Sequence, residues 1–80
     1  MTIRDLLDAG IEIQGLVNVS EWDDNGAETV HFNNKQDDDN FDPDSFNLAA
    51  QDEDASWADI EIKYMYASER DGLLHIDLEQ

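Results

Sequence analysis

Three features of the sequence predict an α+β fold: a short N-terminal helix packed on a four-stranded, mostly antiparallel sheet made of two hairpins, with a long acidic loop between them. Ile60-Glu61-Ile62-Lys63-Tyr64-Met65-Tyr66 alternates β-branched or aromatic residues with Glu61, Lys63 and Met65, the period of two expected of a half-buried strand. Asn25-Gly26, set between two alternating runs, is a hairpin signal. Ile3, Leu6 and Leu7 recur at the helical spacing i, i+3, i+4 directly after a capping residue. A chain this short buries only about 60–65% of its extended surface, so residues 1–80 make one small domain with few apolar side chains to spare.

In chain order, Thr2 is placed to cap the first turn and Asp5, three residues on, to complete a shortened capping box. Gly10 is placed to stop this helix in the left-handed conformation. Two turns of helix are not stable alone in water, so the helix must dock on the sheet. From Ile11 to Trp22 the period changes to two, with Ile11, Ile13, Gly15, Val17 and Val19 on one face and Trp22 on the other. Gly15 in mid-strand predicts a bulge or the close approach of another element. A type I′ turn at Asp24-Asn25-Gly26-Ala27 sets Val19 opposite Phe32, Glu21 opposite Val30 and Trp22 opposite Thr29.

Residues 36–54 lack a sustained period and are crowded with carboxylates, and Pro43 is the one proline of the chain, so the segment reads as a solvated loop. Phe41, Phe46 and Leu48 are expected to pin it back, and Asp54–Ala58 to add one helical turn. In the second hairpin a three-residue loop, Arg70-Asp71-Gly72, brings Leu74, Ile76 and Leu78 opposite Ile62, Tyr64 and Tyr66 as an inward face.

Charge is the strongest compositional signal. Twenty-one Asp and Glu against four Lys and Arg give a net charge of −17. Self-repulsion on that scale weakens the compact state and keeps the chain dispersed. It argues against direct binding to nucleic acid or an anionic membrane, both of which need Lys and Arg, and predicts a monomer with a basic partner. The chain has no cysteine, which removes disulfides and thiolate metal sites. No apolar run reaches the ~18 residues of a membrane span, and no basic-then-apolar leader is evident, so a cytoplasmic location is expected.

Few residues point to chemistry. Asp38, Asn40 and Asp42 satisfy positions 1, 3 and 5 of a calcium loop, but Pro43 stands where the turn needs Gly and Ala49 where a bidentate Glu is needed. At most a weak calcium-binding module is expected, with no resident metal or cofactor. His31 and His75 fall on the polar face of different hairpins and read as solvated histidines. The serines sit in no nucleophile motif, there is no phosphate-binding glycine loop, and so small a core hardly encloses a substrate pocket. A non-enzymatic protein is expected. Tyr64 and Tyr66 read as core residues, whereas Trp22 is either packed under the acidic loop or exposed as an interface anchor.

A run of carboxylates is most often a solvated face, and fourteen Asp against seven Glu also fits adaptation to high salt. A functional reading is that carboxylates fixed on a folded platform imitate the phosphates of a nucleic acid and occupy the basic groove of a nucleic-acid-binding protein. The stretch from Thr2 to Gly15, with Trp22 and the later Glu61-Ile62-Lys63-Tyr64-Met65-Tyr66, resembles a group of short acidic proteins carried on phages and mobile elements of gut Firmicutes. The resemblance covers about half the chain and leaves the Asp-rich middle outside it. That setting implies acidic inhibitors similar to DNA-mimic anti-CRISPR and antirestriction proteins. The partner, on this reading, is a CRISPR effector or another basic nucleic-acid-binding protein. The contacts expected are Asp37, Asp38, Asp39, Asp42 and Asp44, with Glu21, Trp22 and Asp23 near the first hairpin. The alternative is an adaptor domain that binds a protein through Trp22 and the exposed sheet face.

Overall fold

A computed structural model describes residues 1–35 and 42–79 of the chain. Its order of elements is α1 (Ile3–Asp8), β1 (Val17–Trp22), β2 (Glu28–Asn33), α2 (Ser45–Ala50), a 3₁₀ turn (Ser56–Asp59), β3 (Ile62–Ala67) and β4 (Leu74–Leu78). The strands form one sheet in the order β2-β1-β4-β3, antiparallel within each hairpin and parallel where β1 meets β4. The fold is therefore α+β, with a mostly antiparallel sheet built of two hairpins. Among the described residues no helix is long and apolar enough to cross a membrane.

Local chemistry accounts for α1 at both ends. Thr2 Oγ1 accepts from the Asp5 amide and the Asp5 carboxylate accepts from the Thr2 amide, which closes the capping box. At the other end the Gly10 amide donates to Leu7 O and the Ile11 amide to Leu6 O, a Schellman arrangement that uses the positive φ of Gly10. The helix lays Ile3 on the inner face of the sheet, where Val17, Val19, Ile76 and Leu78 are buried with Phe46, Ala50, Ala55 and Ala58 from the connecting segment. Phe32, Phe46 and Trp57 pack ring against ring, with centroids 5.7–6.1 Å apart.

The structure corrects several expectations. The first strand begins at Val17, not Ile11, because side chains claim the backbone of residues 13–17 before a neighbouring strand can. The Ile13 amide and carbonyl are both bonded to the buried Asn47, the Gly15 amide donates to Pro43 O, and Asn34 holds the Gly15 carbonyl and the Val17 amide. Gly15 is thus a positive-φ residue before the strand rather than a bulge within it. The segment expected as loop over 36–54 carries α2, whose Phe46 is buried and whose Leu48 points to solvent at 60% exposure, so Leu48 pins nothing. The helical turn expected near Asp54–Ala58 is present as the 3₁₀ turn.

Both hairpin registers differ from the expected ones in part. Val19 faces Phe32 as expected, but a bulge at His31 places Ser20 opposite Val30, Glu21 opposite Thr29 and Trp22 opposite Glu28. The turn is wider than type I′: Asp23 Oδ1 accepts from the Asn25 and Ala27 amides, and only Gly26 has positive φ. In the second hairpin the Ser68 amide donates to Leu73 O and closes a loop one residue longer than expected. Tyr66 consequently pairs with His75 and Tyr64 with Asp77, which moves both tyrosines from the inner to the outer face. A bulge at Lys63 returns Ile62 to the inner side opposite Leu78.

Candidate functional site

The outer face of the sheet carries no helix among the described residues, and the strand registers place its side chains in rows. Asn33, Asn18, His75 and Tyr66 form one row across the four strands, and Val30, Ser20, Asp77 and Tyr64 form the next. Trp22 and Glu28 continue it at the edge toward the first turn. The middle of this face is polar yet closed: Asn18 is nearly and Ser20 fully buried, linked by Asn33 Nδ2 to Asn18 Oδ1 at 2.9 Å and Asn18 Nδ2 to Ser20 Oγ at 2.7 Å. Around it stand large exposed side chains, with Trp22 at 43%, Val30 at 52%, Tyr64 at 60% and Tyr66 at 48%. Exposed aromatic residues grouped on a sheet are uncommon on a surface with no partner.

Two of the rings, Trp22 and Tyr66, are held by polar neighbours. Trp22 Nε1–H donates to Asp77 Oδ1 at 3.2 Å. Tyr66 stacks flat on His75, with centroids 5.0 Å apart, and His75 Nε2 lies 2.8 Å from Asp71 Oδ2. The Leu73 amide, then His75 and Ser68, hold the Asp71 carboxyl below its ordinary range. Loss of water around the Tyr66 phenol, and then the negative charge of Asp77, Asp71 and Glu28, push that group upward. At this turn the Asp71 carboxylate is bonded to both Ser68 and His75.

The expected site residues divide between two ends of the molecule. Asp37, Asp38 and Asp39 lie outside the described residues. Asp42 and Asp44 are exposed at the start of α2, where Asp42 Oδ1 accepts from the Asp44 amide and Asp44 Oδ1 from Gln14 Nε2. Glu21, Trp22 and Asp23 sit at the far end of β1, about 20 Å of strand away. Trp22 and Asp23 belong to the outer face and its rim; Glu21 turns to the inner side, half-buried, 4.0 Å from the His31 imidazole. His31 and His75 are therefore packed rather than freely solvated, the first by the bulge and the second by Tyr66. Asp77, Glu28, Val30, Tyr64 and Tyr66 join the site without any sequence motif to announce them.

Cations are scarce near these acids. Among the described residues Arg4–Asp59, at 2.6 Å, is the one ion pair between a Lys or Arg and a carboxylate. No group of three potential metal ligands occurs among the described residues. Comparison of the chain with protein-family models, with curated proteins and with solved structures finds no match.

Proposed function

We propose that this chain is a non-enzymatic acidic protein that binds the basic surface of a nucleic-acid-handling protein in the cytoplasm and keeps nucleic acid out, with the groove of a CRISPR effector as the sharpest case. The observation that carries this reading is the excess of carboxylates over cations on folded elements. The protein carries a net charge of −17, and most described acids have no cation at hand. Such a surface attracts a basic groove over long range, associates fast, and loosens as salt rises. The exposed rings of the outer face supply apolar contact that phosphate mimicry alone lacks, which gives the adaptor reading through Trp22 a place on the same face.

The test is competition with DNA. Against purified proteins with basic nucleic-acid grooves, CRISPR effectors first, the chain is expected to displace bound DNA, with an affinity that falls steeply as salt rises. Exchanging Asp37, Asp38 and Asp39 for Asn should weaken displacement and flatten that dependence. Failure to compete with DNA in low salt on any of these proteins overturns the proposal.

A further inference from the structure

We propose that the groove between Trp22 and Tyr64 is a slot for an arginine side chain of the basic partner, and that Lys63 covers its Tyr64 wall when the partner is absent. The inference rests on the reading of the chain as a binder of basic protein surfaces. The groove has a volume of about 540 Å³ and is lined by the two rings, with Asp23, Asp24, Asp77 and Glu79 around them. An aromatic wall attracts a cation through its quadrupole, and the surrounding carboxylates add charge of the right sign.

The chain itself supplies the evidence that the wall takes a cation. Lys63 Nζ lies 5.6 Å from the centre of the Tyr64 ring, inside the range of a cation–π contact, and among the described residues it makes no ion pair with any carboxylate of the groove. Lys63 reaches that position as the extra residue of the β3 bulge, the irregularity that commonly re-aims a side chain. Trp22 is held in place by its bond to Asp77, so the opposite wall is set before anything binds.

A guanidinium suits this geometry better than an ammonium, since it lies flat on a ring and still presents a fork of N–H donors to carboxylates at its edge. The alternatives are disfavoured by charge. A second copy brings another −17, and nucleic acid or an anionic lipid surface brings phosphate. A basic protein segment is the occupant that complements the acids and the rings together.

Binding of oligoarginine and oligolysine peptides to the intact chain, followed by tryptophan fluorescence and calorimetry over a series of salt concentrations, tests the slot. Lys63→Met and Lys35→Met make the same change in net charge at two places. Lys63→Met should tighten oligoarginine binding about fivefold more than Lys35→Met, by freeing the Tyr64 ring. Trp22→Leu and Tyr64→Leu should each weaken it about fivefold, with Trp22→Phe and Tyr64→Phe keeping most of the affinity and so separating loss of a ring from loss of the fold. Oligoarginine should bind more tightly than oligolysine of equal length. Salt-dependent binding that is equal in the two lysine variants and unmoved by loss of either ring overturns the slot and leaves the basic-surface reading standing. Absence of binding to either peptide in low salt overturns both.

Discussion

Replacing Asn34 by Leu is expected to cost about 3 kcal/mol, a figure that follows from two orphaned backbone groups. Asn34 is 4% exposed and belongs to no strand or helix. Its Oδ1 accepts from the Val17 amide at 2.8 Å, and its Nδ2 donates to Gly15 O at 2.8 Å and to Ser45 Oγ at 2.9 Å. Leu fills nearly the same space without either function. Val17 is fully buried, so its N–H loses the Asn34 acceptor out of reach of water, at about 2 kcal/mol. Gly15 is half-buried and its carbonyl is partly rescued by solvent, at about 1 kcal/mol. A domain of this size holds only about 4–12 kcal/mol, so the loss is a large share of the total. In urea at fixed salt the midpoint should fall by about 3 M for a slope near 1 kcal/mol/M. Asn34→Asp keeps the acceptor for Val17 but sets a carboxylate against the Gly15 carbonyl, so it should be less damaging in acid, where the protonated group can donate. A midpoint unchanged in both variants would refute the view that side chains of Asn34 and Asn47, rather than a longer strand, organise residues 13–17.

Phe46→Ala should remove about 3–5 kcal/mol, because the ring is fully buried against Phe32 and Trp57; near-ultraviolet circular dichroism and urea unfolding would register the loss. Gly26→Ala should cost about 1 kcal/mol from backbone strain alone, since φ is 81° and a Cβ there meets nothing within 4 Å; thermal melting checks it. Acid should act in two stages. As pH falls from neutral, loss of net negative charge relieves self-repulsion and stability should first rise. Asp5 and Asp71 both lie below their ordinary 3.8 in the folded state, held by the Thr2 cap and the Leu73 amide respectively. Their contributions are complete above 3.8 and disappear as pH drops through the lowered folded values, so stability should then decline, as melts across the acid range would record.

Much of the fold was legible because it rests on local chemistry. Thr2, Asp5 and Gly10 cap α1 as their types require, and Val17 and Val19 alternate inward as their period requires. Asn25-Gly26 marks the first turn even though its form is not the one expected. The candidate face was legible only in Trp22 and Asp23. Tyr64 and Tyr66 were misplaced for a physical reason: β3 is an edge strand whose residues 63–67 are all exposed, so burial does not choose their face, and the turn chooses instead. The cross-strand partner of Glu21 and the packing of His31 were not legible, because a bulge leaves no trace in the pattern of a six-residue strand.

The sequence by itself determined the number of strands, the capped helix, the single apolar layer and the surplus of negative charge, all of which depend on composition or on neighbours close along the chain. Only the tertiary structure decided that Tyr64, Tyr66, Asp77 and Trp22 share one open face with a cation resting on one of its rings. The reason lies in the period of a strand. Successive side chains point to opposite sides, so one residue more in a turn, or one bulge at Lys63, exchanges the buried and the exposed set. That choice is made by hydrogen bonds between residues far apart in sequence.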